Sequence, residues 1–158
     1  MLRWLLLFIV GLLSCSKPDR LTANGFDELV RSLATAWSTQ NTNTAVACFT
    51  DDAEYMQPPD EQFFVGRAQL TAYFGAIQPG TSMVIHHVWF DEHAQQGAFE
   101  FTFGRPGSKK ASTGVVVVQI KNNRIARWRE YFVSGPFDFN QFLETKNKEW
   151  KWHIGNYP

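Results

Sequence analysis

The strongest constraint on this chain is a change of hydrophobic period near residue 80. Before that point apolar residues recur at helical spacing; after it they alternate. Phe26, Leu29, Val30, Leu33 and Trp37 fall on one helical face, with Asn24 as a candidate cap and Asp27 and Glu28 in the first turn. A polar break at residues 39–42 predicts a short second helix with Ala45, Val46 and Phe49 turned inward, ended by Asp51-Asp52. Residues 53–57 predict a strand stopped by Pro58-Pro59, and residues 66–77 a third helix burying Leu70, Tyr73, Phe74 and Ile77. Beyond the Pro79-Gly80 turn, residues 83–91, 98–103, 112–121 and 124–133 predict four strands. Asn122-Asn123 is suited to a two-residue hairpin of the primed type. Val115 to Val118 is apolar on both faces, which predicts a central strand covered on both sides. Asp138 is a candidate cap for a last helix, and the aromatic tail Trp150, Trp152, His153, Ile154 and Tyr157 follows. That tail suits packing over its own domain or, with its Trp and Lys residues, a membrane interface. Three helical segments and then a meander predict an α+β domain: a strongly curved antiparallel sheet wrapped around N-terminal helices as a cone.

Composition narrows the class. Aromatic residues make up 15% and hydrophobic residues 44% of the 158 positions, enough for one filled core. The formal net charge is zero and no basic stripe is present, so nucleic acid is not an expected partner.

The first 14 residues carry one positive charge, an apolar run from Trp4 to Leu13, and Ser14. They match a secretory signal and are short for a membrane span. Leu12-Leu13-Ser14-Cys15 resembles a bacterial lipobox, which implies a diacylglyceryl thioether on Cys15 and an anchor in the cell envelope. Ser16, where a retention signal would place Asp, favours an outer membrane facing the periplasm if the host is Gram-negative. An ordinary cleaved signal with an incidental cysteine is the alternative. The expected organisation is a lipoprotein signal at 1–14, a polar tether at 15–25, and one domain over 26–158. With Cys15 lipidated, Cys48 has no disulfide partner, and among apolar neighbours it reads as inert core.

Three segments carry a family resemblance. Cys48-Phe49-Thr50-Asp51-Asp52-Ala53 follows the opening helices; Tyr55-Met56-Gln57-Pro58 leads to Gly66-Arg67; and Asn123-Arg124-Ile125-Ala126-Arg127-Trp128-Arg129-Glu130-Tyr131-Phe132 forms the late hairpin and strand. In this order they resemble the nuclear transport factor 2-like superfamily, in its SnoaL-like and limonene epoxide hydrolase-like branches, over roughly residues 26–136. The resemblance implies a pocket between sheet and helices, and it spans isomerases, cyclases, hydrolases and non-catalytic binders. Dimers through the sheet are common in such proteins, so it also implies a possible homodimer.

Residues two apart on a strand share a face, so Trp128 and Glu130 point together, as do Tyr55 and Gln57. By resemblance to the hydrolases these four line the site, with Glu130 at the position of the water-activating acid. Pocket lining without chemistry, and a structural pairing of Glu130 with a nearby Arg, are the other readings. Glu100 and Thr102 stand where the hydrolases place an Arg and an Asp, so the epoxide-protonating pair is missing. His87 and Trp89 share a face and His86 lies on the other; His87 is a candidate base or donor, and a structural role for at least one of the two histidines is the simpler reading. Adjacent strand positions cannot hold one metal together, so no metal is expected, and no cofactor is implied. The expected catalytic residues are Glu130, Tyr55 and His87. The expected ligand contacts are Trp37, Tyr55, Gln57, Trp89, Glu100 and Trp128, around a small, mostly apolar molecule. The competing functions are a binder, an enzyme using Glu130 as general base, and a protein-interaction module.

Overall fold

The structure is a computed structural model that describes residues 20–58 and 62–136. The signal segment, Cys15, the first part of the tether (residues 15–19), the last helix and the aromatic tail lie outside the described residues. Helix α1 (Ala23–Ser38) is capped by the Thr22 side chain, which accepts from the Gly25 backbone N–H; Asn24 is inside the helix. Its inward face is Phe26, Val30, Leu33 and Trp37, as the spacing predicts. Helix α2 (Thr42–Ala47) is capped by Asn41. Among the described residues no helix is long and apolar enough to cross a membrane.

Strand β1 spans Phe49–Gln57 and so begins earlier than the apolar pattern suggests. Phe49 belongs to it, and Asp51-Asp52 lies within it instead of ending α2. Asp51 instead binds Arg67 on helix α3 (Gly66–Gly75) through contacts of 2.6 and 3.0 Å. A short strand β2 (Gln62–Val65), with little inward pattern of its own, pairs antiparallel with β1. The meander then runs β3 (Ser82–Asp91), β4 (Gln96–Gly104), β5 (Ala111–Lys121) and β6 (Arg124–Gly135). Asn122 and Asn123 both take positive φ (52° and 59°), the backbone of a type I′ turn between β5 and β6.

The six strands lie in the order β2-β1-β6-β5-β4-β3, all neighbours antiparallel except β1 and β6, which are parallel. That parallel pairing sets Tyr55 opposite Trp128 and joins the two segments that carry the family resemblance. The helices and the inner sheet face enclose one core that includes Phe26, Trp37, Phe49, Tyr55, Phe74, Phe99 and Trp128. Cys48 joins it, and burial pushes its thiol up to about 11, which keeps it protonated and unreactive.

One expectation of two-sided cover fails. Val116 and Val118 are buried, but Val115 and Val117 stand on the outer face and are exposed. Tyr131 and Val133 on β6 and Trp89 on β3 are also exposed there. The run of four valines reflects β-branched residues favoured by a strand as much as by burial.

The sheet curls where β5 approaches β6. A Cβ on Gly114 would lie 2.1 Å from the Tyr131 carbonyl oxygen and 2.7 Å from Phe132 Cα, so only glycine fits the bend. Gly114→Ala should therefore destabilise the domain by about 1–3 kcal/mol in urea unfolding, through backbone overpacking. A change below about 0.5 kcal/mol, typical of neutral surface positions, would contradict this account of the curvature.

Candidate functional site

Alternation on β6 turns Trp128 and Glu130 to the inner face, and alternation on β1 does the same for Tyr55 and Gln57. The parallel β1–β6 register then brings all four together. Glu130 is only 5% exposed, which matters because a carboxylate so enclosed must be compensated by hydrogen bonds. Three donors converge on its Oε2. The Tyr55 hydroxyl donates at 2.5 Å, the Trp128 indole N–H at 3.0 Å and the Gln57 amide at 3.3 Å.

Sequence reasoning assigned no site role to a fifth member, Tyr73 of α3, reading it as core packing. Its hydroxyl lies 3.2 Å from that of Tyr55 and 3.3 Å from Gln57 Nε2. Since the single Tyr55 proton is given to Glu130, Tyr73 is the donor in the Tyr73–Tyr55 bond. The result is a directed chain, Tyr73 to Tyr55 to Glu130. Its only sequence signal was an inward helical position; the partner 18 residues away comes from tertiary packing.

Electrostatics follow from this enclosure. Burial pushes the Glu130 carboxyl above its ordinary value, against the opposing pull of Tyr55, Trp128 and Gln57. Burial also raises Tyr55 well above the usual phenol range, and Tyr73 to about 12, so both remain protonated donors. An indole N–H can only donate, so Oε2 stays an acceptor and a proton on Glu130 would sit on Oε1. Among the described residues Oε1 receives no hydrogen bond. The arrangement holds one oxygen fixed and leaves the other to accept a hydrogen bond or a proton.

The walls are aromatic. Tyr55 stacks on Trp128 at 5.2 Å, and Phe49 and Phe99 pack on the same indole. Trp37, from α1, meets Trp128 at 6.3 Å and Tyr73 at 6.1 Å. The interior around Glu130 is thus filled with rings where the sequence suggested a hollow. Two cavities border these rings. One, about 560 Å³, is lined by Phe63, Phe64, Gln69, Ala72, Tyr73 and Ala76. The other, about 520 Å³, lies at the sheet end beside Phe103, Ser112, Ser134 and Pro136. Tyr73 walls the first while its hydroxyl reaches the network; Phe103 walls the second while packing on Trp37 at 5.6 Å.

Three expected contacts are elsewhere. His87, Trp89 and Glu100 lie on the outer face, away from Glu130: Trp89 is 55% exposed, and the His87 and Glu100 side chains 64% and 42%. The cause is a β-bulge. Ile85 pairs with Phe101 and Val88 with Phe99, so His86 and His87 together oppose the single residue Glu100. Both histidines therefore share the outer side, against the simple alternation expected. His87 Nδ1 pairs with Glu100 at 2.8 Å, and His86 Nε2 meets Thr102 Oγ1 at 2.8 Å. His87 is thus no partner of Glu130. Among the described residues no group of three or more His, Cys, Asp or Glu side chains is placed to hold a metal ion.

Comparison with known proteins agrees with the fold. Among curated proteins no significant sequence match is found. Solved structures share the fold at low identity. A protein of unknown function with a cystatin-like fold from Methylobium petroleophilum aligns at 16% identity and a TM-score of 0.65, covering 89% of this chain and 99% of its own. A protein proposed to be a ketosteroid isomerase, from Kribbella flavida, aligns at 15% identity and 0.62, covering 72% and 81%. A limonene epoxide hydrolase-like epoxide hydrolase of M. tuberculosis aligns at 18% identity and 0.59, covering 77% and 90%. The SnoaL-like domain profile matches residues 30–128, from the core face of α1 to the Trp128 indole that binds Glu130. With more than half its length so matched, the chain belongs to the SnoaL-like domain family.

Proposed function

We propose that this is an envelope domain, lipid-anchored through Cys15, that binds a small, mostly apolar molecule in its cone with Glu130 as the principal polar contact. The observation that carries the reading is the buried carboxylate whose Oε2 is held by Tyr55, Gln57 and Trp128 while Oε1 receives no donor among the described residues. Aromatic walls supply the apolar contact area, and one oriented polar atom supplies the specificity, as in most small-molecule sites. The cavity walled by Tyr73 is the one that borders this network, since the Tyr73 hydroxyl lies 3.2 Å from that of Tyr55. A membrane location would deliver apolar compounds to such a site. The homodimer expected by resemblance would use the exposed outer row of Val115, Val117, Tyr131 and Val133.

A second reading is favoured by the raised carboxyl of Glu130. A base whose proton-accepting oxygen meets no donor among the described residues, and whose other oxygen is fixed by a tyrosine chain, is equipped for proton abstraction in an isomerase, cyclase or hydrolase. Tyr55 then positions the base, and Tyr73 supports Tyr55. Epoxide opening of the hydrolase kind lacks its acid-and-arginine pair: Glu100 is on the outer face and Thr102 is bound to His86.

The two readings separate on Glu130→Gln. If the site only binds, apolar ligands raise the melting temperature of the wild type, and a panel of epoxides, ketosteroids and polyketide-like compounds shows no turnover. If Glu130 is a base, Glu130→Gln keeps ligand affinity within about threefold and loses turnover by at least about 10²-fold. Absence of both binding and turnover in the wild type would defeat both readings. For the anchor, Cys15→Ala should move the protein from the membrane to the soluble fraction and abolish acyl labelling. Retention of the label in that variant would contradict lipidation at Cys15.

A further inference from the structure

One polar atom inside the aromatic box has no role in the Glu130 network. Trp37 is 3% exposed, and its indole N–H has no hydrogen-bond partner among the described residues. Buried donors are almost always satisfied, so an orphan of this kind calls for an explanation. Packing does not supply one. A phenylalanine would give the wall an aromatic ring without a donor, and the edge-on rings of Tyr73 and Phe74, at 83° and 88° to the indole, offer at most a weak π acceptor.

The position of the orphan is informative. Trp37 packs on Trp128 and on Tyr73, both members of the hydrogen-bonded cluster around Glu130. It also packs on Phe103, the wall of the cavity at the sheet end. Trp37 therefore packs against a wall residue of each cavity, on the side of the box contributed by α1, while Glu130 comes from the sheet. Among the described residues the aromatic box thus carries a donor without a partner on the α1 side and an acceptor without a donor, Glu130 Oε1, on the sheet side.

We propose that the Trp37 indole N–H is the second polar anchor of the site, donating to an acceptor oxygen of the bound molecule. This rests on the small-molecule reading above and narrows it. The ligand is a compact apolar skeleton carrying a carbonyl, ether or hydroxyl oxygen for Trp37 and a polar or labile hydrogen for Glu130 Oε1. It is not a bare hydrocarbon, and it is not an anion, because an anion would face the carboxylate. The indole can only donate, which fixes the polarity of the ligand atom it meets.

The test uses the full chain with 15N-labelled indoles and two probes of matched shape, 1-tetralone and tetralin. Partition into the same micelles without protein is measured and subtracted. The Trp37 indole N–H resonance should move downfield with tetralone and stay in place with tetralin. Tetralone should bind the wild type about tenfold more tightly than tetralin, the scale of one hydrogen bond to a buried donor. In Trp37→Phe that preference should vanish while tetralin affinity is retained. If the two probes bind the wild type alike with the Trp37 resonance unmoved, the donor role is wrong although the pocket stands. The donor role is also wrong if tetralone keeps its preference in Trp37→Phe. If neither probe binds the wild type, the pocket reading falls and this inference with it. The wild-type resonance decides the matter even if the variant fails to fold.

Discussion

Three hydrogen bonds to one carboxylate oxygen tie the structure together. Through Oε2, Glu130 of β6 holds Tyr55 and Gln57 of β1, and through Tyr55 and Gln57 it reaches Tyr73 of α3. These bonds bridge the parallel seam of the sheet, where no short hairpin could join the strands, and fasten a helix to it. An enclosed charge is costly without such partners. Removing one of them would leave the carboxylate under-solvated, so its environment and the local packing are a single property.

The same bonds divide the carboxylate into two unequal oxygens. Oε2 is committed to fixed donors, one of which, the Trp128 indole, cannot accept a proton. Oε1 is the atom at which chemistry or recognition can occur. The aromatic walls lower the local dielectric, which strengthens any contact made there and holds the proton affinity of the carboxyl up. Binding and base catalysis therefore need the same geometry and differ in what the occupant presents to Oε1. Fold likeness to isomerases and an epoxide hydrolase does not choose between them.

Much of this was legible in the sequence because strand alternation is strict. Trp128 with Glu130, and Tyr55 with Gln57, could be set on common faces from spacing alone, and the motif order suggested their meeting. The missed features have local physical causes. Tyr73 sits on a helix whose pattern marks it only as buried; its bond to Tyr55 depends on how α3 docks. The bulge at His86–His87 adds one residue to β3 and carries His87 and Trp89 to the outer face, which period-two counting cannot see. Motif likeness points Glu100 into the pocket, whereas parity with the buried Phe99 and Phe101 puts it outside. Strand β2 follows two prolines and lacks an inward pattern, so only its pairing with β1 reveals it.

The central claim is that Glu130 is a desolvated carboxylate with a single proton-accepting oxygen. Titration of its side-chain carboxyl carbon by 13C NMR tests this most directly, with Trp128→Phe as a second arm. The account predicts a midpoint above that of an exposed glutamate in the wild type. It predicts a further rise in the variant, since a donor that favours the charged form has been removed. A wild-type midpoint at or below that of exposed glutamates, or no rise when the indole is lost, would contradict it.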